Sequence, residues 1–282
     1  MPTKEQPVFE VQGISYHYPG GQPALLDVSL DIPAGTKVAI LGANGSGKST
    51  LLKILDGLYF PSAGTLWAFG QEVSAASLEV PDVNFAFRRR VGLVFQDPDV
   101  QLFSPTVWED VAFGPLQLGL STEEVAERVQ RALAFLRIEK LADRVPYGLS
   151  GGEKKKAALA SVLVLEPEAL LLDEPTASLD PRSQRALVDM ILDWNEGGRT
   201  IITATHDLDV VAEIADLVFV FGEDRKIARV GPPDEILADT ELLEANNLAH
   251  AHSHVHAVAG IGEHSHPHLH HDLHGHSAEP PA

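Results

Sequence analysis

A glycine-rich segment, Gly42-Ala43-Asn44-Gly45-Ser46-Gly47-Lys48-Ser49, separates two stretches of different character. Residues 38–41 before it form a continuous apolar run, which is typical of a buried strand, and residues 50–55 after it have a helical pattern. In this strand–loop–helix context, a G-x-x-x-x-G-K-S segment turns backbone N–H groups around a phosphate, and the helix adds the positive end of its dipole. The segment therefore predicts an α/β domain with a phosphate site at the end of a buried strand.

The residue types of this segment predict individual contacts to a nucleotide and a metal ion. Lys48 is placed to reach the β and γ phosphates, and the Ser49 hydroxyl is placed to bind Mg²⁺. An alternative stays open at this point, namely a glycine-rich turn that only packs a helix against a strand. The residues expected to contact the nucleotide here are Gly42, Asn44, Gly45, Ser46, Gly47, Lys48, Ser49 and Thr50.

A second apolar run, residues 169–172, ends in the carboxylate pair Asp173–Glu174. Two acids at the end of a strand are usually solvated when they occur alone. Beside a phosphate loop, Asp173 is instead placed to hold Mg²⁺ through water, and Glu174 to polarise the attacking water. The two segments together predict hydrolysis of a nucleoside triphosphate.

The remaining pattern predicts one α/β domain with additions. The length of 282 residues suits a single α/β domain with a small lobe and a tail. Residues 8–18 and 25–32 alternate apolar and polar side chains around a Pro-Gly-Gly turn, which predicts an antiparallel hairpin. A helical pattern follows from Trp108 to about Arg144, so we expect a helical lobe over about 98–150 within a folded domain of residues 1–249.

Charge and composition exclude several classes of protein. Asp and Glu number 40 against 21 Lys and Arg, giving a formal net charge of −19, which opposes binding to nucleic acid. Cysteine is absent, so neither disulfides nor a thiolate zinc site is available, as is typical of a reducing compartment. We also expect a protein that is not embedded in a membrane, because no stretch approaches the roughly 18 apolar residues of a spanning helix.

Further motifs follow the phosphate loop in a set order. These are Leu149-Ser150-Gly151-Gly152-Glu153, Asp173-Glu174-Pro175, Ser178-Leu179-Asp180, and His206 at the end of the strand-like run 200–205. This order resembles the ATP-binding cassette family of transport ATPases from Val8 to about Gly231. The resemblance implies an enzyme that hydrolyses ATP with Mg²⁺. The fold it implies is α/β, a P-loop NTPase core with an antiparallel β subdomain and an inserted helical lobe.

The resemblance also implies a dimer. Ser150, Gly151 and Gly152 are expected to open a helix that begins near Glu153 and to cap ATP held by the P-loop of a partner, in a head-to-tail dimer. Asp180 resembles the aspartate that crosses the interface. The sequence departs from the family pattern at Glu153, where many members carry glutamine, and at 154–156, where three lysines replace a mixed run.

Other site residues are assigned by the same resemblance. Gln96 resembles the glutamine that touches Mg²⁺ and links the lobe to the site, and His206 the histidine that contacts the γ-phosphate. Tyr18 matches the aromatic residue that stacks on adenine, with Tyr16 as an alternative core residue. The expected catalytic residues are Glu174, His206 and Lys48.

Residues 95–115 resemble a subgroup, the energy-coupling-factor ATPases, which includes cobalt and nickel importers. In this subgroup a short helix here lies against an integral-membrane transmembrane component; the alternative is an amphipathic helix that only packs the lobe. The implied partners are a second copy or a related ATPase, the transmembrane component and a substrate-binding membrane component. The implied location is peripheral, at the cytoplasmic face of the plasma membrane.

Eleven of the 13 histidines lie in the last part of the chain, residues 250–282, which has too few large apolar groups to fold and is predicted to be disordered. Neutral imidazole binds Ni²⁺, Co²⁺ and Zn²⁺. A role with a cobalt or nickel cargo and unspecific metal buffering both stay open; in the second case the cargo is a vitamin, another small organic molecule or zinc. The candidate ligands are His250, His252, His254, His256, His264, His266, His268, His270, His271, His274 and His276.

Overall fold

A computed structural model describes residues 6–249 and the backbone of two short strands, 251–256 and 264–269. Ten strands, ten α-helices and three short 3-10 helices lie within 6–249. The strands are β1 (Phe9–His17), β2 (Pro23–Ile32), β3 (Lys37–Gly42), β4 (Ala63–Ala68), β5 (Gln71–Glu72), β6 (Val91–Val94), β7 (Ala169–Asp173), β8 (Thr200–Thr205), β9 (Leu217–Phe221) and β10 (Ile227–Gly231). The helices are α1 (Lys48–Leu55), α2 (Ala75–Leu78), α3 (Pro81–Arg90), α4 (Val107–Gln117), α5 (Thr122–Phe135), α6 (Gly151–Leu163), α7 (Pro181–Asn195), α8 (Leu208–Ile214), α9 (Pro233–Ala238) and α10 (Thr240–Ala245).

The central sheet has the strand order β10-β9-β3-β8-β7-β6. All of its neighbouring strands are parallel except the β10–β9 pair at one edge. Strands β7 and β8 are buried at every residue and β3 at all but its first, as expected for continuous apolar runs inside a parallel sheet. The carboxyl ends of β3, β7 and β8 therefore meet at one edge, which brings the P-loop, Asp173 and His206 together.

A second sheet, of order β2-β1-β4-β5, is antiparallel and packs over the central one. The predicted hairpin of residues 8–18 and 25–32 is formed by β1 and β2. Between the two sheets lies an apolar core that includes Phe9 and Ile14 of β1, Ile40 of β3, and Leu51 and Leu55 of α1. This core holds the helix that follows the P-loop against both sheets.

The helical lobe consists of α4, α5 and the first part of α6. Its apolar core includes Val111, Val129, Leu133 and Leu159, and it continues to Leu170 of the central sheet. Helix α5 begins after Ser121, whose hydroxyl accepts a hydrogen bond from the Glu124 backbone N–H at 3.2 Å. The predicted α/β fold with an antiparallel subdomain and a helical lobe is confirmed.

In the histidine-rich segment, β11 (Ala251–His256) and β12 (His264–Leu269) pair antiparallel, where the sequence predicts no regular structure. In both segments every second residue is histidine, and this period of two is that of an extended strand, which is the physical reason for the difference. The rest of 250–282 lies outside the described residues, and for it disorder stays a prediction. None of the helices in the described ranges combines the length and apolar character needed to cross a bilayer.

Candidate active site

The P-loop joins β3 to α1 in a tightly packed turn. Gly47, the residue before α1, has φ of 112°, and a Cβ there would lie 2.5 Å from the Ala24 carbonyl oxygen. A Cβ at Gly42 would lie 2.6 Å from the Ser46 hydroxyl. Because no side chain fits at either position, the backbone of this loop stays bare above the N-terminus of α1, as an anion site requires.

Lys48 connects the loop to the end of β7. Its side chain is buried, and its Nζ donates to the backbone oxygens of Gly42 at 2.7 Å and Ala43 at 3.3 Å. The same ammonium lies 3.3 Å from Glu174 Oε1. The structure thus brings together the lysine and the glutamate that the sequence assigns to phosphate and water.

Ser49 and Asp173, two of the residues predicted to hold Mg²⁺, lie in direct contact. The Ser49 hydroxyl donates to Asp173 Oδ1 at 2.8 Å, and Asp173 is buried at the end of β7. Burial raises the pKa of Asp173 above its ordinary value, against the opposing effect of the Ser49 hydrogen bond. Nearby, the buried Ser46 hydroxyl has no hydrogen-bond partner within the described residues. A hydroxyl and a carboxylate are hard oxygen donors, so the residues present fit Mg²⁺.

Glu174 is a buried carboxylate held by three donors. Its Oε1 lies 2.9 Å from His206 Nδ1 and close to Lys48, and its Oε2 accepts from the Thr205 hydroxyl at 3.2 Å. Burial by itself favours the protonated acid, but the hydrogen bond to His206 and the charge of Lys48 outweigh it and hold the pKa of Glu174 below its ordinary value. The carboxylate is therefore ionised at neutral pH and able to accept a proton.

Two partners of this carboxylate come from the end of β8. The hydrogen bond to Glu174 raises the pKa of His206 above its ordinary value. Thr205 was missed by the sequence reasoning, although it is fully buried and its Oγ1 also accepts from the Asp207 backbone at 3.1 Å. The signal was a hydroxyl residue in the last position of a buried strand, directly before His206.

Tyr18 lies at the mouth of the site. Its hydroxyl lies 3.0 Å from Thr50 Oγ1 of α1, and the residue is 39% exposed. Tyr16, the alternative, stacks on Tyr59 with ring centroids 5.3 Å apart and packs against the core. Tyr18 is thus the one of the pair that presents an open ring beside the P-loop helix, and stacking on adenine stays a prediction.

The Leu-Ser-Gly-Gly segment differs in one detail from the expectation. Helix α6 begins at Gly151 and not near Glu153, because Ser150 caps it in a reciprocal capping box. The Ser150 backbone and hydroxyl donate to Glu153 Oε2 at 2.9 and 2.7 Å, and these bonds lower the pKa of Glu153. The departure at Glu153 therefore has a local structural role at the start of this helix.

Ser150, Gly151 and Gly152 line a cleft of about 750 Å³ together with Asp180. Asp180 caps α7 and accepts from the Arg182 and Ser183 backbones. Residues 42–50 do not line this cleft. Within one chain, the Leu-Ser-Gly-Gly segment therefore shares this cleft with Asp180 and not with the P-loop.

Gln96 follows β6 and lies at a neighbouring cleft of about 380 Å³, with Leu149 and Leu179. None of the hydrogen bonds within residues 6–249 joins its side chain to Ser49 or Asp173, so its contact with Mg²⁺ stays a prediction. The described residues hold no group of three or more His, Asp or Glu with metal-site geometry. Of the tail ligands, His250, His270, His271, His274 and His276 lie outside the described residues, and the other six are described in their backbone only.

Comparison with known proteins places these features in a family. The sequence profile described as ABC transporter matches residues 25–177, more than half of the chain. The chain belongs to the ABC transporter family. It is an ATPase, and the predicted ABC-type ATP hydrolysis with ATP and Mg²⁺ agrees with this membership.

Several relatives of this ABC ATPase are named as transporter subunits. A nickel import ATP-binding protein, NikO, of Rhodobacter capsulatus is 52% identical over 86% of this chain and 96% of the relative. An energy-coupling factor transporter ATP-binding protein, EcfA, of Methanothermobacter thermautotrophicus is 42% identical over 86% of this chain and 76% of the relative. The resemblance to the energy-coupling-factor subgroup is confirmed.

A solved structure agrees with this placement. CbiO1 of Clostridium perfringens, described as part of the ABC transporter complex CbiONQ, superposes with a TM-score of 0.74 at 39% identity, covering 86% of this chain and 96% of that one. ABC ATPases work as dimers with transmembrane components. This chain is accordingly the ATPase subunit of an ABC transporter.

Proposed function

We propose that this ABC ATPase drives an energy-coupling-factor type importer for cobalt or nickel ions. The observation that carries the proposal is the 52% identity, over 86% of the chain, to a protein named as a nickel import ATP-binding protein. The likeness to CbiO1 and the eleven histidines of residues 250–282 support the same cargo class.

Glu174 acts as the general base in the proposed mechanism. Its ionised carboxylate takes a proton from the water that attacks the γ-phosphorus, while His206 and Thr205 hold it in place. Lys48 exchanges its ion pair with Glu174 for the β and γ phosphate oxygens, and the bond between ADP and the γ-phosphoryl group then breaks. Ser49, Asp173 and Gln96 would hold Mg²⁺, which when bound would supply positive charge beside the phosphates.

The second half of each site comes from a partner subunit, either a second copy or a related ATPase. Ser150, Gly151 and Gly152 lie on a cleft that residues 42–50 do not line. Gly151 and Gly152 are the first two residues of α6, where backbone N–H groups have no acceptor within the helix. A head-to-tail pair with two-fold symmetry brings this segment against the γ-phosphate on the opposite P-loop, with Asp180 at the interface.

The lobe carries an apolar surface suited to a membrane-embedded partner. Phe103 and Phe113 contact each other edge to face with centroids 5.0 Å apart and are 67% and 44% exposed, with Leu116 beside them on α4. Phe103 and Phe113 lie on the segment, 95–115, that resembles the coupling region of the subgroup, and Leu116 directly follows it. We assign this surface to the transmembrane component, which in turn contacts a substrate-binding membrane component.

This docking gives a peripheral location at the cytoplasmic face of the plasma membrane. The formal net charge of −19 opposes attachment to anionic lipid, so a specific protein contact is needed.

Uptake by the complete complex tests the cargo. The chain is purified with its membrane partners, reconstituted in vesicles, and assayed for ATP-dependent uptake of radioactive Ni²⁺, Co²⁺ and Zn²⁺ and of vitamins. We expect uptake of Ni²⁺ or Co²⁺ that stops when ATP is omitted. Uptake of a vitamin or Zn²⁺ alone would favour the second candidate, in which the histidine-rich segment only buffers metal.

A further inference from the structure

Lys155 is a buried ammonium that the proposed mechanism leaves without a role. It lies on α6, four residues after Gly151, and is 7% exposed. Burial lowers its pKa, and the acids Asp173 and Glu174 oppose this effect. Burying a lysine without partners is costly, so its contacts indicate what it contributes.

Both hydrogen-bond partners of Lys155 Nζ are main-chain atoms of site residues. The ammonium donates to the carbonyl oxygen of Gln96 at 2.8 Å and to that of Glu174 at 3.0 Å. These carbonyls belong to the segment after β6 and the segment after β7. One side chain on the helix of the Leu-Ser-Gly-Gly segment therefore fixes the backbone of both.

The Glu174 backbone is in a conformation that needs such support. Its φ is 45°, in the left-handed region that a residue with a side chain rarely adopts. Such a conformation is energetically unfavourable and persists where surrounding contacts hold it. The bond from Lys155 is one such contact, and it acts on the peptide group of the residue that carries the proposed base.

From this geometry we infer that Lys155 is a positioning residue for ATP hydrolysis. Its two hydrogen bonds hold the backbones of Glu174 and Gln96 at fixed positions relative to α6. The distance between the Leu-Ser-Gly-Gly segment, which caps the partner's ATP, and Glu174, which acts on the water, therefore stays constant. A displacement of about 1 Å at a reacting group costs on the order of 10² in rate. The inference depends on the role of Glu174 proposed above, and it is independent of the cargo.

The test compares steady-state ATPase kinetics of the full-length chain and its variants. We expect Lys155→Met to lower kcat about tenfold or more and to leave the KM for Mg-ATP within about threefold, since the described acceptors of Lys155 Nζ are the Gln96 and Glu174 carbonyls and not P-loop atoms. Lys155→Arg is expected to keep more than about a third of kcat, because a guanidinium can donate to both carbonyls and the cleft of about 380 Å³ beside Lys155 has room for it. Lys226→Met, the same change at an exposed position, is the control.

Three results would overturn the inference. They are a normal kcat for Lys155→Met, a loss in Lys155→Arg as large as that in Lys155→Met, or a rise in KM that matches the fall in kcat. Thermal melting checks that each variant is folded. If Lys155→Met does not fold, Lys155→Gln, which keeps one donor group, replaces it, and it too is expected to show a lowered kcat at an unchanged KM. Glu174→Gln in the same assay separates the two proposals, because normal turnover there refutes the base, whereas slow turnover there with normal Lys155→Met refutes only the role of Lys155.

Discussion

At the scale of single residues, the site depends on one carboxylate whose donors come from different parts of the chain. Glu174 receives Lys48 from the P-loop, and Thr205 and His206 from the end of β8. These contacts keep Glu174 ionised despite its burial, because the donors outweigh desolvation. A buried carboxylate with a fixed orientation and no proton is what a general base requires.

Replacing this carboxylate by an amide is expected to separate ATP binding from hydrolysis. Glu174→Gln keeps the shape and a hydrogen-bonding group but cannot take the proton, so we expect kcat to fall about 10²–10⁴-fold. Phosphate release measures turnover, and size-exclusion chromatography with Mg-ATP is expected to show a trapped dimer. Glu223→Gln, at an exposed glutamate, serves as the control. Turnover at the wild-type rate in Glu174→Gln would remove Glu174 from the role of base.

The site residues that the sequence predicts are those defined by their neighbours along the chain. The P-loop and the Asp173–Glu174 pair were predicted because strand, loop and helix follow one another locally. The bonds of Thr205 and of Lys155 to Glu174 were not predicted, because they join residues 31 and 19 positions apart. Such contacts depend on the register of β7 beside β8 and on where α6 lies, and no local spacing encodes either.

At the scale of elements, helix ends show how local chemistry and packing combine. The capping box of Ser150 and Glu153 moves the start of α6 two residues earlier than expected. A second example is the C-terminal end of α1, the helix that follows the P-loop. Asp56 comes directly after its last residue, where a negative charge interacts unfavourably with the helix dipole. Arg88 of α3 compensates this charge: its Nη1 donates to the Asp56 carbonyl oxygen at 2.6 Å and to Asp56 Oδ2 at 3.0 Å.

The junction of α1 and α3 is expected to make stability depend on pH. Burial raises the pKa of Asp56 to about 7, although Arg88 acts in the opposite direction. The folded protein thus binds this proton more tightly than the unfolded chain, whose pKa is about 3.9, and the stabilisation is lost as pH rises between these values. Asp56→Asn lacks this loss and keeps an oxygen for Arg88. Between pH 5 and pH 8, the free energy of unfolding of Asp56→Asn minus that of the wild type should therefore increase by on the order of 2 kcal/mol.

Urea unfolding of both proteins at several pH values measures this difference. The difference, and not either curve alone, is the relevant quantity, because all other titrating groups are shared. Asp82→Asn, at an exposed acid in the first turn of α3, is the control and is expected to show a difference that does not vary with pH. A difference for Asp56→Asn that is constant from pH 5 to pH 8 would contradict the assignment.

At the scale of the whole molecule, the chain divides into a catalytic body and a histidine-rich end. The four apolar clusters of the described residues lie between Val8 and Ala249, and Ala249 itself packs with Val218 and Leu243. Every residue proposed to contact ATP lies between Tyr18 and His206. Within the part of the chain that the structure describes with side chains, core and site thus both lie before residue 250. Residues 250–282 carry eleven histidines instead.

Removing residues 250–282 is accordingly expected to leave ATP hydrolysis within about twofold of the full chain, since the deletion begins after the last core residue. The deletion is expected to abolish high-capacity binding of Ni²⁺ and Co²⁺, measured by equilibrium dialysis. Binding by the full chain should weaken as pH falls through about 6.5, where imidazoles take up protons and release metal. A variant with the eleven histidines changed to asparagine keeps the length and separates loss of ligands from loss of chain. Undiminished metal binding after deletion would assign the metal elsewhere, and collapse of the ATPase would make the tail part of the folded body.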